Sequence, residues 1–275
     1  MVKDIVVNLG LGARDPAGDY AVSVAEAFEA HVLGVAVSYK PVIPGNVFGG
    51  IPPEIIEGQR RESDNKARTA VSRFDQAAKR AGLSSENRIL NTTISGAAEQ
   101  LGRIGRRFDL VVVGQPERDK STPEQIVDES VLFETGRPIV FVPFIHNGGV
   151  TLDRIMACWD GSRAAARAVA DALPFLKKAK QVEIVIVSDK PGRNNEVPGA
   201  DLGQHLARHG LRIDLKNIVS PEIDVPSTLL SHAADSSADM IVMGGYGHSR
   251  LREFVLGGVT RAMLESMTVP VLMSH

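Results

Sequence analysis

The residues with the clearest chemical potential run from Met243 to Thr260: Met243-Gly244-Gly245-Tyr246-Gly247-His248-Ser249-Arg250, then Leu251 to Leu256, then Gly257-Gly258-Val259-Thr260. The segment leaves a Val/Ile-rich strand, passes through glycines and enters a helix. Glycines permit positive φ and let the main chain approach a ligand closely. The free N–H groups of a helix start, here near Gly257 and Gly258, suit an anion. The helix dipole adds ~0.3–2 kcal/mol for a phosphate placed there. His248, Arg250 and Arg252 either supplement that positive field or are solvated loop charges. The competing reading is a tight turn whose glycines serve packing alone.

Asp160, in Trp159-Asp160-Gly161-Ser162, follows another predicted strand. It either contacts a ligand or caps the next helix, since Asp is a favoured cap. Trp159 either lines the same pocket or closes the core. Cys158, the single cysteine, reads as a small core residue rather than a nucleophile. One thiol excludes an internal disulfide and a multi-Cys zinc site. Asp201, His205 and His209 lie four apart, but with no H-E-x-x-H pattern they read as a solvated helix face and no metal is expected. There is no G-x-x-x-x-G-K-[ST] loop, no S-G-G-x-D-S loop and no nucleophile–base pair legible from spacing. Enzymatic activity is therefore left open, at most slow hydrolysis of a bound nucleotide by water.

The elements that must position these residues occur twice. Asp4-Ile5-Val6-Val7-Asn8-Leu9-Gly10 resembles Arg154-Ile155-Met156-Ala157-Cys158-Trp159-Asp160, and an Ala-rich helical stretch follows each (Tyr20–Ala30, Ala164–Leu173). Phe108-Asp109-Leu110-Val111-Val112-Val113-Gly114 aligns with Ala238-Asp239-Met240-Ile241-Val242-Met243-Gly244. Pro138-Ile139-Val140-Phe141 aligns with Pro270-Val271-Leu272-Met273. The strands are short, continuous and β-branched, as in a parallel sheet covered on both faces. Helices are predicted over 62–81, Ser95–Arg107, Leu202–Arg208 (only two turns) and Pro226–Ala234. The order β-α-β-α-β-α-β-α-β in each half predicts two tandem α/β domains, each a doubly wound, Rossmann-like, five-stranded parallel sheet. They are placed at 1–147 and 148–275, across the polar, Gly-rich stretch Ile145-His146-Asn147-Gly148-Gly149. In such sheets ligands bind at the carboxyl ends of the strands.

On these residues the chain resembles the universal stress protein family, whose motif is G-x2-G-x9-G-[S/T]. Gly244, Gly247 and Gly257 fall at its glycine positions, before the final Val269-Pro270-Val271-Leu272 strand. Gly258 departs from the Ser/Thr position. The resemblance implies strand order 3-2-1-4-5 and a stress-response regulatory role. It also implies binding of ATP, with Mg²⁺ carried by the triphosphate. The nucleotide-binding set it implies is Asp160, near adenine, with Val187, Met243, Gly244, Gly247, His248, Arg250, Gly257, Gly258, Val259 and Thr260. It implies pairing through the last strands, Pro138–Val142 and Val269–Met273, which would remove an exposed edge. A homodimer and a protein partner are further implications. The missing hydroxyl at Gly258 costs a charge-assisted bond of about 1.5–3 kcal/mol, or roughly tenfold to a hundredfold in affinity; Thr260 can offer a hydroxyl from the first helical turn.

The first copy departs more. Gly114-Gln115-Pro116-Glu117 places a carboxylate where the second glycine is expected, and no acidic residue follows its first strand. The expectation is that this half has lost nucleotide binding and serves as the pairing partner. The alternative reading of the whole chain is a non-nucleotide adaptor. It would take a partner protein or apolar ligand through Val42–Pro53, an apolar stretch whose Pro and Gly forbid a regular element.

Composition narrows the partners. Thirty-one basic against 33 acidic residues give a formal net charge of −2, which excludes a chain-wide basic field for nucleic acid. The longest apolar runs fall far short of the ~20 residues that span a bilayer, so no membrane span is expected. No basic stretch precedes an apolar run near Met1. A soluble, cytoplasmic protein is the expectation.

Overall fold

The computed structural model of the chain describes residues 1–40, 52–115, 123–188, 198–219, 224–245 and 258–275. Two compact units emerge: residues 2–137 with 147–149, and residue 1 with 138–146 and 150–275. Among the described residues no helix is long and apolar enough to cross a membrane.

The first unit is built from β1 (Asp4–Asn8), α1 (Pro16–Phe28), β2 (His31–Tyr39), α2 (Pro53–Arg80), β3 (Ser85–Thr92), α3 (Ile94–Gly105), β4 (Leu110–Gly114) and α4 (Pro123–Thr135). Its strands lie in the order β3-β2-β1-β4, all parallel. Ile5, Val6, Val7, Val111 and Val112 are fully buried, as continuous apolar runs between two helical layers must be. Helix α1 starts earlier than the Ala-rich periodicity at Tyr20, because Asp15 caps it by accepting from the Gly18 N–H and Pro16 supplies the pre-set first φ. Helix α2 is nine residues longer at its start than the predicted 62–81. Only Ala67, Ala70, Phe74 and Ala78 of it are buried, so its first turns carry no apolar period to read.

The second unit contains β5 (Ile139–Val142), β6 (Arg154–Cys158), α5 (Arg163–Leu176), β7 (Gln181–Ser188), α6 (Ala200–Arg208), β8 (Ile213–Val219), α7 (Val225–Asp235), β9 (Met240–Gly244), α8 (Gly258–Ser266) and β10 (Val271–Ser274). Strands β8-β7-β6-β9-β10 follow the expected 3-2-1-4-5 order in parallel. Strand β5 then pairs with β10 antiparallel, Phe141 opposite Val271 and Ile139 opposite Met273. The two final strands thus meet, and the edge that β10 would expose is covered. Pro138 and Pro270 sit just before these strands, where the missing N–H breaks no ladder bond.

Candidate functional site

At the carboxyl ends of β6, β7 and β9 the second unit encloses a cavity of about 300 Å³. Seven of the sequence-predicted residues line it: Asp160, Val187, Met243, Gly244, Gly258, Val259 and Thr260. The remaining four, Gly247, His248, Arg250 and Gly257, lie outside the described residues, as do Glu117 and nearly all of Val42–Pro53.

The floor is set where β6 ends. The Trp159 N–H donates to Val185 O at 2.9 Å, which extends the β6–β7 pairing by one step. Gly161 then adopts φ +74°, a left-handed turn that favours glycine. The Ser162 N–H donates to Asp160 Oδ1 at 2.9 Å, and the Ala165 N–H donates to Ser162 Oγ at 3.1 Å. Ser162 is therefore the cap of α5. Asp160 is left exposed at the cavity rim, its carboxylate held in place by one main-chain N–H.

Cys158 faces the same cavity from the end of β6. Burial, together with the neighbouring Asp160 carboxylate, pushes its thiol up to about 12. It stays protonated at neutral pH and acts as an apolar wall, not a nucleophile.

Gly244 has the protein's own backbone close by: a Cβ there would stand 2.5 Å from the Ala165 nitrogen and 2.6 Å from the Ala164 carbonyl carbon. The glycine lets the start of α5 pack against the end of β9, and it lines the cavity as well. The turn beyond β9 is anchored by the Gly245 N–H donating to Ser274 O at 2.9 Å.

Helix α8 opens at Gly258, which is exposed and has nothing within 4 Å of where a Cβ would lie. Two residues on, Thr260 is buried and also lines the cavity. Val225 and Leu229 of α7, with Ala165 and Val185, complete the walls and were not anticipated from sequence. Helix α7 was predicted, but not that its first turn reaches this cavity. Asp224 caps that turn by accepting from the Ser227 N–H at 2.9 Å, and the Ser227 hydroxyl followed by that N–H holds its carboxyl below the usual range. His232 Nε2 lies 2.8 Å from Glu183 Oε2, clipping α7 to β7.

At the corresponding strand end of the first unit stands a buried polar pair. Asn8, at the end of β1, donates from Nδ2 to Asp128 Oδ1 of α4 at 2.7 Å, and both side chains are buried. The loop after β1 is clamped by Arg73 of α2, whose guanidinium donates to Gly10 O at 2.8 Å and to Gly12 O and Ala13 O at 3.0 Å.

The strand order makes this a doubly wound α/β protein, with a cavity at the carboxyl strand ends of the second unit. Residues 151–275 match the model of the universal stress protein family. A universal stress protein of Synechocystis sp. is 26% identical over 176 residues, 62% of this chain and 51% of that relative. The chain thus spans about half the length of this curated relative. The crystal structure of a universal stress protein from Archaeoglobus fulgidus superposes with a TM-score of 0.73 at 17% identity, covering 98% of this chain and 95% of that one. A functionally unknown protein from Pseudomonas aeruginosa PAO1 superposes with a TM-score of 0.62 at 14% identity, covering 99% and 92%. At these identities the two structures speak to the fold.

Proposed function

We propose that the second unit binds an adenine nucleotide, ATP with its Mg²⁺, and that the chain is a nucleotide-dependent regulator of the stress response. The observation that carries this reading is the convergence of Asp160, Val187, Met243, Gly244 and the first turn of α8 on one cavity. These positions come from three separate strand ends and one helix start, and the family resemblance selects the same set from sequence. The apolar walls at Val187, Val185 and Leu229 suit a flat base. The Asp160 carboxylate at the rim accepts hydrogen bonds from an exocyclic amine or a ribose hydroxyl. The N–H groups opening α8 face the phosphates, a role reinforced by the helix dipole. Open space beside Gly258 leaves room for them. Gly247, His248, Arg250 and Gly257 are assigned to the same cradle from sequence.

In this reading residues 148–275 form the nucleotide domain and residues 1–147 the pairing partner. The buried Asn8–Asp128 pair supports that division, because a carboxylate stands where phosphate would need a neutral or positive wall. We assign the protein to the cytoplasm and expect a homodimer, with a protein partner reading the nucleotide state. Calorimetric titration with Mg-ATP tests the proposal. Saturable heat at micromolar to millimolar ligand is expected, lost on Gly244→Val. No heat at millimolar Mg-ATP overturns it.

A further inference from the structure

The geometry points to a second ligand site, in the first unit, that takes a small phosphate-bearing anion between Lys40, Arg60, Arg68 and Asn91. These residues line a pocket of about 280 Å³ beside the carboxyl ends of β2 and β3, with Asp64 and Ile89. Helix α2 is seated there by two contacts with the end of β2. The Tyr39 N–H donates to Ser63 Oγ at 2.7 Å, and the Ser38 hydroxyl donates to Asp64 Oδ1.

The charge arrangement is unusual for this helix. Its other cations near the site are paired: Arg61 with Glu57 at 3.0 Å, Lys66 with Glu62 at 2.7 Å, and Arg73 with Asp15 at 3.7 Å plus three carbonyls. Among the described residues, Lys40, Arg60 and Arg68 have no such ion pair. Arg60, Asp64 and Arg68 repeat at four-residue spacing on one face of α2, so Asp64 could have bridged both arginines. It is turned to Ser38 instead. The adjoining stretch 41–51 contains no Asp or Glu to compensate them.

Three cations and one engaged carboxylate leave a net positive pocket. Two guanidinium forks offer bidentate donors to an oxyanion, Lys40 adds a point charge, and the Asn91 amide adds a neutral donor. A dianionic phosphate group matches this set in charge and donor count. The pocket's size suits a small molecule rather than a polymer. It lies on the carboxyl-end side of the sheet, the side on which this architecture receives ligands.

The test is inorganic pyrophosphate titrated into the full chain, followed by residue-resolved amide NMR. Shifts centred on Lys40, Arg60, Arg68 and Asn91 are expected. Arg60→Ala/Arg68→Ala should weaken this binding at least tenfold without lowering the thermal midpoint. Lys79→Ala/Arg80→Ala, which removes equal charge from the far end of the same helix, should leave it unchanged. Equal loss in both variants would reduce the effect to general surface charge and overturn the site. So would shifts confined to the surroundings of Gly244 and Gly258, or no shifts at millimolar pyrophosphate.

Discussion

Asn8 and Asp128, 120 residues apart in sequence, meet as a buried hydrogen-bonded pair at 2.7 Å where the second unit has Cys158 and Thr260. Asn8 ends β1 as Cys158 ends β6, and Asp128 precedes Pro138 by the same interval as Thr260 precedes Pro270. The two units thus share a framework and differ in what the framework encloses. A hydrogen bond to a buried carboxylate is worth about 1.5–3 kcal/mol, and removing one partner strands the other. Asn8→Ala should therefore lower the unfolding free energy of the first unit by about 2–3 kcal/mol, measured by urea denaturation. A loss below about 0.5 kcal/mol would show that the pair holds nothing in place.

The glycines of the predicted cradle part company on the same physical test. Gly244→Ala forces a methyl into the Ala164–Ala165 backbone, which has no flexible end to yield. Overpacking of this kind costs about 1–3 kcal/mol. Because α5 must shift away from β9, the cavity deforms and nucleotide affinity should fall at least tenfold. Unchanged stability with unchanged affinity would contradict the contact.

Gly258→Ser has the opposite expectation. A Cβ there meets nothing within 4 Å, so stability should stay within about 0.5 kcal/mol. The added hydroxyl restores a charge-assisted donor to phosphate, worth about 1.5–3 kcal/mol. Affinity for Mg-ATP should rise roughly tenfold to a hundredfold by calorimetry. Affinity for adenosine, which lacks phosphates, should not change. An equal gain for both ligands would place the effect in the helix rather than at the phosphates.

These outcomes mark what sequence could and could not reveal. Strands such as Val111-Val112-Val113 and Ile241-Val242 are legible because burial on both faces leaves only apolar residues. Duplication is legible because both copies obey that constraint. The site's location follows from topology, since β6 and β9 must end side by side in this strand order. The partner of Gly244 is not legible, because Ala164 and Ala165 become its neighbours only once α5 docks on β9. Val225 and Leu229 reach the cavity through the packing of α7, which leaves no local mark. The early turns of α2 escape detection for a different reason: none of their residues is fully buried, so no period records them.

Asp15 supplies a pH dependence with a definite sign. Burial is the main cause that raises its carboxyl from 3.8 to about 6, although the Gly18 and Gly10 backbone bonds and the Arg73 charge oppose the rise. Between about pH 4 and 6 the folded chain keeps a proton that the unfolded chain has released. The group's contribution to stability is thus fully present below about pH 4 and is lost as pH rises through 6, by about 3 kcal/mol in all. Asp15→Asn keeps an acceptor for the Gly18 N–H, because Asn caps as well as Asp. It carries no charge to bury. Relative to the parent, the variant should gain stability from pH 4 to pH 7.5, read as the difference between their urea midpoints. A difference that stays constant across that range would mean the carboxyl titrates at its ordinary value, with Arg73 having already neutralised the cost of burial.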